Sequence, residues 1–168
     1  MITWIDKVVS KLPLYAIDQI DNANGLRDSL LGLNLVTAIA ILVATYNKTD
    51  IADQISDEYT VTFGGSMPEI AKHVAFNLAE RKILNNHGIK KEFKLDTLYG
   101  GYDTVLFNKM MFAGSVLVGD AHTYVEYEQK VLADGFVQEE VQEIIKVVAV
   151  LNSLTKFADF LEYSMFSM

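Results

Sequence analysis

Cysteine is absent from this sequence, and proline is scarce, with 2 residues in 168. Without a thiol, the chain can form neither a disulfide nor a cysteine-ligated metal centre, and it has no thiolate nucleophile. A cysteine-free chain fits a reducing compartment, so we expect a cytoplasmic protein. Because prolines are few, long stretches lack helix-breaking residues, and this favours long helices.

Positive charge is also in short supply. The chain has 14 lysines and arginines against 22 aspartates and glutamates, for a net charge of −8. An acidic surface is repelled by phosphate backbones, so we expect no nucleic-acid partner. No basic cluster marks a membrane contact. The most apolar stretch, from Leu30 to Tyr46, contains Asn34, Thr37 and Thr45. We therefore interpret it as a helix buried in protein rather than a membrane span.

What the chain has in quantity is apolar side chains at helical spacing. Hydrophobic residues account for 51% of the sequence, and no segment alternates with the period of a strand. We therefore predict an all-α protein with residues 1–168 in a single domain. The regions 30–59 and 116–150 share a rhythm of apolar helix, short break and second helix. This leaves open two related helical halves, although the sequences form no detectable repeat.

Capping and breaking residues predict where the helices begin and end. Pro13 ends the first helix, and Asn22, Asn24 and Gly25 predict a turn. Gly135 is predicted to stop a helix at its C-terminus. The predicted helices cover residues 2–12, 26–46, 49–59, 66–84, 103–118, 119–134 and 138–163. The last of these ranges is one long helix or two helices in line, and a long loop is predicted over 89–102.

One segment carries a resemblance to a known family. Residues 117–127, which read LVGDAHTYVEY, resemble the redox motif of the AhpD-like alkylhydroperoxidases of the carboxymuconolactone-decarboxylase superfamily. That motif has two cysteines separated by two residues, and a histidine four residues later, at the start of a helix. Residues 11–18 and 37–55 resemble other parts of the same family. The resemblance implies an AhpD-like helical fold and a homo-oligomer, often a trimer.

The departures from the family motif fall on the residues that do its chemistry. Asp120 occupies the place of the first cysteine, Thr123 that of the second, and Tyr127 that of the histidine. Asn108 falls where the family has an acidic proton-relay residue, and His122 matches a histidine that AhpD keeps. Neither aspartate nor threonine can cycle between thiol and disulfide. Peroxide reduction by this mechanism is therefore lost.

The same positions allow two interpretations of the site. Asp120 at a helix start is expected to cap free amide groups, and the alternative is a general base beside His122. His122 and Glu126, four residues apart, are placed to pair on one helix face. Three ligands within one helical turn make a poor metal site, so we predict no metal. The sequence has no cofactor motif either, and Tyr127 is expected in the core or an interface.

Three functions remain as hypotheses. The first is a non-redox binding or structural homo-oligomer. The second is a cysteine-independent decarboxylase acting on a small organic acid by proton transfer, with His122 and either Asp120 or Tyr127. The overall acidity, however, offers no obvious anchor for an anionic substrate. The third is an accessory subunit of an antioxidant system. Apolar residues crowded near the C-terminus favour an oligomer: Phe157, Phe160, Leu161, Tyr163, Met165 and Phe166.

Overall fold

A computed structural model of the protein describes residues 2–88 and 104–167, without the side chains of 85, 86 and 157–167. Every regular element in these ranges is helical, which confirms the predicted all-α class. A short 3-10 turn covers Leu26–Asp28. The α-helices of the described ranges are α1 (Trp4–Lys11), α2 (Ile17–Gly25), α3 (Leu33–Tyr46), α4 (Ile51–Phe63), α5 (Met67–Asn86), α6 (Thr104–Val118), α7 (Ala121–Ala133) and α8 (Gln138–Ser167).

Two of the predicted boundaries are wrong. Asn22, Asn24 and Gly25 lie inside α2 instead of forming a turn, because packing against α1 and α8 outweighs the low helix propensity of these residues. The central apolar helix begins at Leu33, later than predicted, because Gly32 has a positive φ of 84° that no helix accommodates. The predicted loop over 89–102 lies outside the described residues.

Helix α3 is the centre of the fold. All side chains from Val36 to Ala44 are completely buried, and α3 packs against α4, α5, α6 and α8. The indole Nε1 of Trp4 donates a hydrogen bond to Thr37 Oγ1 at 3.2 Å, so this buried polar pair is satisfied. The interpretation of this stretch as a helix enclosed by protein is confirmed. In the described ranges, no helix is long and apolar enough to cross a membrane.

Helix α6 is the second core element, and it approaches α5 closely at Gly114. A Cβ atom at Gly114 would lie 2.1 Å from Leu78 Cδ1, so any larger residue would displace Leu78 or separate the helices. Met110, Met111, Phe112 and Ala113 of α6 are completely buried. This contact places the second half of α5 beside the turn between α6 and α7.

That the protein consists of two related helical halves remains a prediction. Within the region 116–150, α7 packs mainly against α6 and only weakly against α8, whereas α3 packs along α4. The two regions thus share the rhythm of their sequence but differ in how their helices pack.

Candidate functional site

Asp120 is the residue that begins α7, and its carboxylate caps the helix. Gly119, with a φ of 72°, lets the chain reverse after α6. Asp120 Oδ1 then accepts a hydrogen bond from the backbone N–H of Thr123 at 3.2 Å, and Oδ2 accepts one from Thr123 Oγ1 at 2.8 Å. The predicted capping role of Asp120 is confirmed, and both carboxylate oxygens are engaged.

The electrostatic surroundings of Asp120 favour its charged form. Partial burial raises the pKa of the carboxyl, but the hydrogen bonds from Thr123 and the charge of Arg81 more than offset this, so the pKa lies below its usual value of 3.8. Asp120 is therefore a carboxylate near neutral pH and a weak proton acceptor.

Thr123 and Tyr127 belong to the interior. Thr123 is completely buried, and Tyr127 is 5% exposed. The ring of Tyr127 meets that of Phe107 edge-on at 6.3 Å, with Lys130 Nζ 4.5 Å from its centroid. Burial raises the pKa of the Tyr127 hydroxyl, and nearby Glu126 adds to the effect. Tyr127 thus acts as a core residue, as predicted for an aromatic at this spacing.

His122 and Asn108 lie apart from this arrangement. His122 is exposed on the first turn of α7, and Glu126, its predicted partner, instead accepts a hydrogen bond from Lys130 at 3.2 Å. Asn108 donates to Asp134 Oδ2 at 2.9 Å, just beyond the far end of α7. Thirteen helical residues separate that end from Asp120, a distance of about 20 Å at 1.5 Å per residue. The motif-equivalent positions are therefore not assembled into one site.

A cleft of about 280 Å³ opens beside Asp120. It lies between the second half of α5 and the α6–α7 turn, and we call it the α5–α7 cleft. Of the five positions predicted from the motif, only Asp120 lines it. The lining residues are Leu78, Arg81, Lys82, Val118, Gly119, Asp120 and Ala121.

Arg81 and Lys82 are the site residues that the sequence analysis missed. They are consecutive cations on α5 and are distant in sequence from the motif. The sequence analysis considered only the net charge of the whole chain, which is −8, and therefore overlooked them. Only the close approach of α5 to α6 at Gly114 brings them beside Asp120. The sequence analysis expected no anchor for an anionic substrate, and these two residues correct that expectation. The α5–α7 cleft has two cations and one carboxylate in its lining, so its charge is opposite in sign to the net charge of the chain.

Within the described part of the chain, no group of three histidine, aspartate or glutamate side chains is placed to hold a metal ion. Asp120, His122 and Glu126, the three candidates from the sequence, form no such group. No protein-family model and no curated protein matches this chain.

Proposed function

We propose that this protein is a non-redox, AhpD-like binding protein whose α5–α7 cleft holds a small organic acid. The observation that carries this proposal is the presence of two cations, Arg81 and Lys82, in one cleft of about 280 Å³. Ligand pockets begin at roughly 300 Å³, so the cleft suits a ligand of a few heavy atoms. A cavity of this size next to the former redox motif supports retention of the cleft without the redox reaction.

The charges of the cleft favour a ligand with two kinds of polar group. The guanidinium of Arg81 offers a planar fork that matches a carboxylate, and Lys82 adds a mobile point charge. Asp120, held in its ionised form by Thr123, lines the same cleft and accepts hydrogen bonds. A hydroxy acid satisfies both sides, with its carboxylate on the cations and its hydroxyl on Asp120.

The geometry favours binding over proton transfer. A decarboxylase of this superfamily would need His122 to face the substrate, yet His122 is exposed and does not line the cleft. Asp120, whose pKa is lowered, is poorly suited to take up a proton. An antioxidant accessory subunit has no observation of its own in support.

The proposal includes a homo-oligomer, and the resemblance implies a trimer. The C-terminal side chains on which this expectation was based lie outside the described residues. Support comes instead from large apolar side chains that are exposed on the described surface, among them Val61 at 83%, Phe76 at 68% and Ile83 at 60%. Surface of this kind is typical of contacts between chains.

The test is isothermal titration calorimetry, in which small acids are added to the protein. Short hydroxy acids should bind, simple carboxylic acids more weakly, and the neutral amides not at all. Arg81→Gln and Lys82→Gln should each weaken binding by about tenfold or more, since each removes a charge-assisted hydrogen bond. Lys146→Gln, which removes a lysine from a different cleft beside α2, is the matched control and should bind normally. Absence of binding at millimolar acid, or equal losses in Lys82→Gln and Lys146→Gln, would overturn the proposal.

A further inference from the structure

The turn between α1 and α2 exposes an unusual set of side chains at its tip. Ala16 N–H donates a hydrogen bond to Pro13 O at 2.9 Å, which makes Leu14 and Tyr15 the central residues of a four-residue turn. These positions usually carry glycine, asparagine, aspartate or serine. Here Leu14 is 92% exposed and Tyr15 82%, and Ile17 just beyond is 63% exposed.

The two sides of this turn are anchored in the protein. Leu12 before it and Ala16 at its end are each 6% exposed. The turn is therefore fixed to the body of the protein by its buried residues, while its tip points into solvent. Three large apolar side chains within four residues form a patch that monomeric proteins rarely leave uncovered. A contact here would lose little conformational entropy, because the turn is already formed.

Opposite charges flank this apolar tip. Lys11 ends α1 on one side and Asp18 lies in the first turn of α2 on the other. Both are exposed, and within the described ranges neither belongs to an ion pair. Their charges also suit the helix ends they occupy. A two-fold axis through the tip would place Lys11 of one copy opposite Asp18 of the next, and the reverse.

We propose that the turn of residues 11–18 is an isologous two-fold contact between two copies of this chain. In such a contact the same patch serves both partners, so it must be complementary to itself. The apolar tip meets its own copy, and the flanking charges match only in this antiparallel arrangement. With a net charge of −8, two copies repel at a distance, and the crossed Lys11–Asp18 pairs oppose this repulsion at the contact.

The contact doubles whatever assembly the rest of the surface forms. A chain that is otherwise monomeric becomes a dimer, and a trimer becomes a hexamer. This inference does not depend on the α5–α7 cleft or on its ligand, so the two proposals fail separately. Sedimentation equilibrium at about 50 µM protein, a concentration above the dissociation constant of a contact of micromolar affinity, should give an even multiple of the mass of one chain.

Variants identify the contact. Tyr15→Asp and Leu14→Asp should each halve the mass while the helical circular dichroism is unchanged, because both side chains are exposed. Val125→Asp, at an apolar position of α7 that is 57% exposed, should leave the mass unaltered. Lys11→Glu and Asp18→Lys should each weaken association by at least fivefold, and the double variant should restore it. An odd-numbered assembly, an undiminished mass in Tyr15→Asp, or a double variant as weak as its parents would overturn the proposal.

Discussion

The turns that follow α3 and α6 have a similar backbone and different surroundings. Each contains a left-handed residue, Lys48 with a φ of 57° and Gly119 with a φ of 72°. Each is closed by a hydrogen bond to the carbonyl five residues back, from Thr49 N–H at 3.0 Å and from Asp120 N–H at 3.1 Å. Such bonds satisfy carbonyls that a helix end leaves free. The backbone alone therefore does not distinguish the two turns.

The side chains make the difference. In the first turn, Asn47 Nδ2 donates to Asn152 Oδ1 at 2.9 Å and to Thr155 Oγ1 at 3.0 Å, which attaches the turn to α8. In the second, the Asp120 carboxylate accepts hydrogen bonds from Thr123 of its own helix, and the α5–α7 cleft opens beside it. A turn attached to another helix stabilises the fold, whereas a turn whose polar atoms are used locally leaves room for a ligand.

The largest expected effect is the loss of the cap at the second turn. Asp120→Ala removes a cap worth about 1 kcal/mol and leaves the buried hydroxyl of Thr123 without its acceptor, which costs about 1 kcal/mol more. We expect urea unfolding to show a loss of about 2 kcal/mol. Asp50 precedes α4 in the corresponding place but makes no cap bond, so Asp50→Ala should change stability by less than about 0.5 kcal/mol. Equal losses would remove the distinction between the turns.

A smaller loss is expected at the first turn. Asn47→Ala removes two hydrogen bonds to α8, and each contributes about 0.5 to 1 kcal/mol net. The free energy of unfolding should fall by about 1 to 2 kcal/mol, with no change in binding at the α5–α7 cleft. Asn24→Ala, at an exposed position of α2, is the matched control and should be nearly neutral. A weakened ligand affinity in Asn47→Ala would show that the two turns are coupled.

The smallest expected effect is on the free energy of unfolding at acidic pH. Because the folded-state pKa of Asp120 is lowered, its charge contributes stability above the unfolded-state pKa, and this is lost as pH falls through the folded-state value. Asp120→Asn keeps a capping side chain but cannot titrate. The stability difference between wild type and Asp120→Asn should be constant near neutrality and shrink below the ordinary pKa of 3.8. A difference that holds or grows in acid would mean that hydrogen bonding and Arg81 do not favour the carboxylate.

The sequence predicted the fold class and the buried centre well, because both depend on local patterns. The apolar run from Val36 to Ala44 has no polar face, and such a helix has to be enclosed. Gly135, with a φ of 107°, ends α7 as predicted. Helix α2 was missed because its asparagines favour turns in isolation and become helical only through contacts with α1 and α8.

The candidate site was predicted in part. Asp120 as a helix cap follows from its position before an amphipathic segment. Arg81 and Lys82 could not be found in this way, because their nearness to Asp120 depends on how closely α5 meets α6. That distance is set by Gly114, a single residue whose missing side chain is not recognisable as an interhelical contact in one sequence. His122 and Asn108 were predicted from the family motif, and the packing of α6 and α7 places them elsewhere.

The enclosure of α3 has a consequence for how the chain is made. One of the helices that cover it, α8, begins at Gln138, roughly ninety residues after α3 ends. At elongation rates of about 5 to 20 residues per second, the ribosome needs about 5 to 20 s to produce that cover. During this interval the apolar side chains of α3 that α8 covers in the folded protein have no cover from that helix. The nascent chain therefore exposes apolar surface that favours aggregation. A chaperone that covers this surface would improve the yield of folded protein.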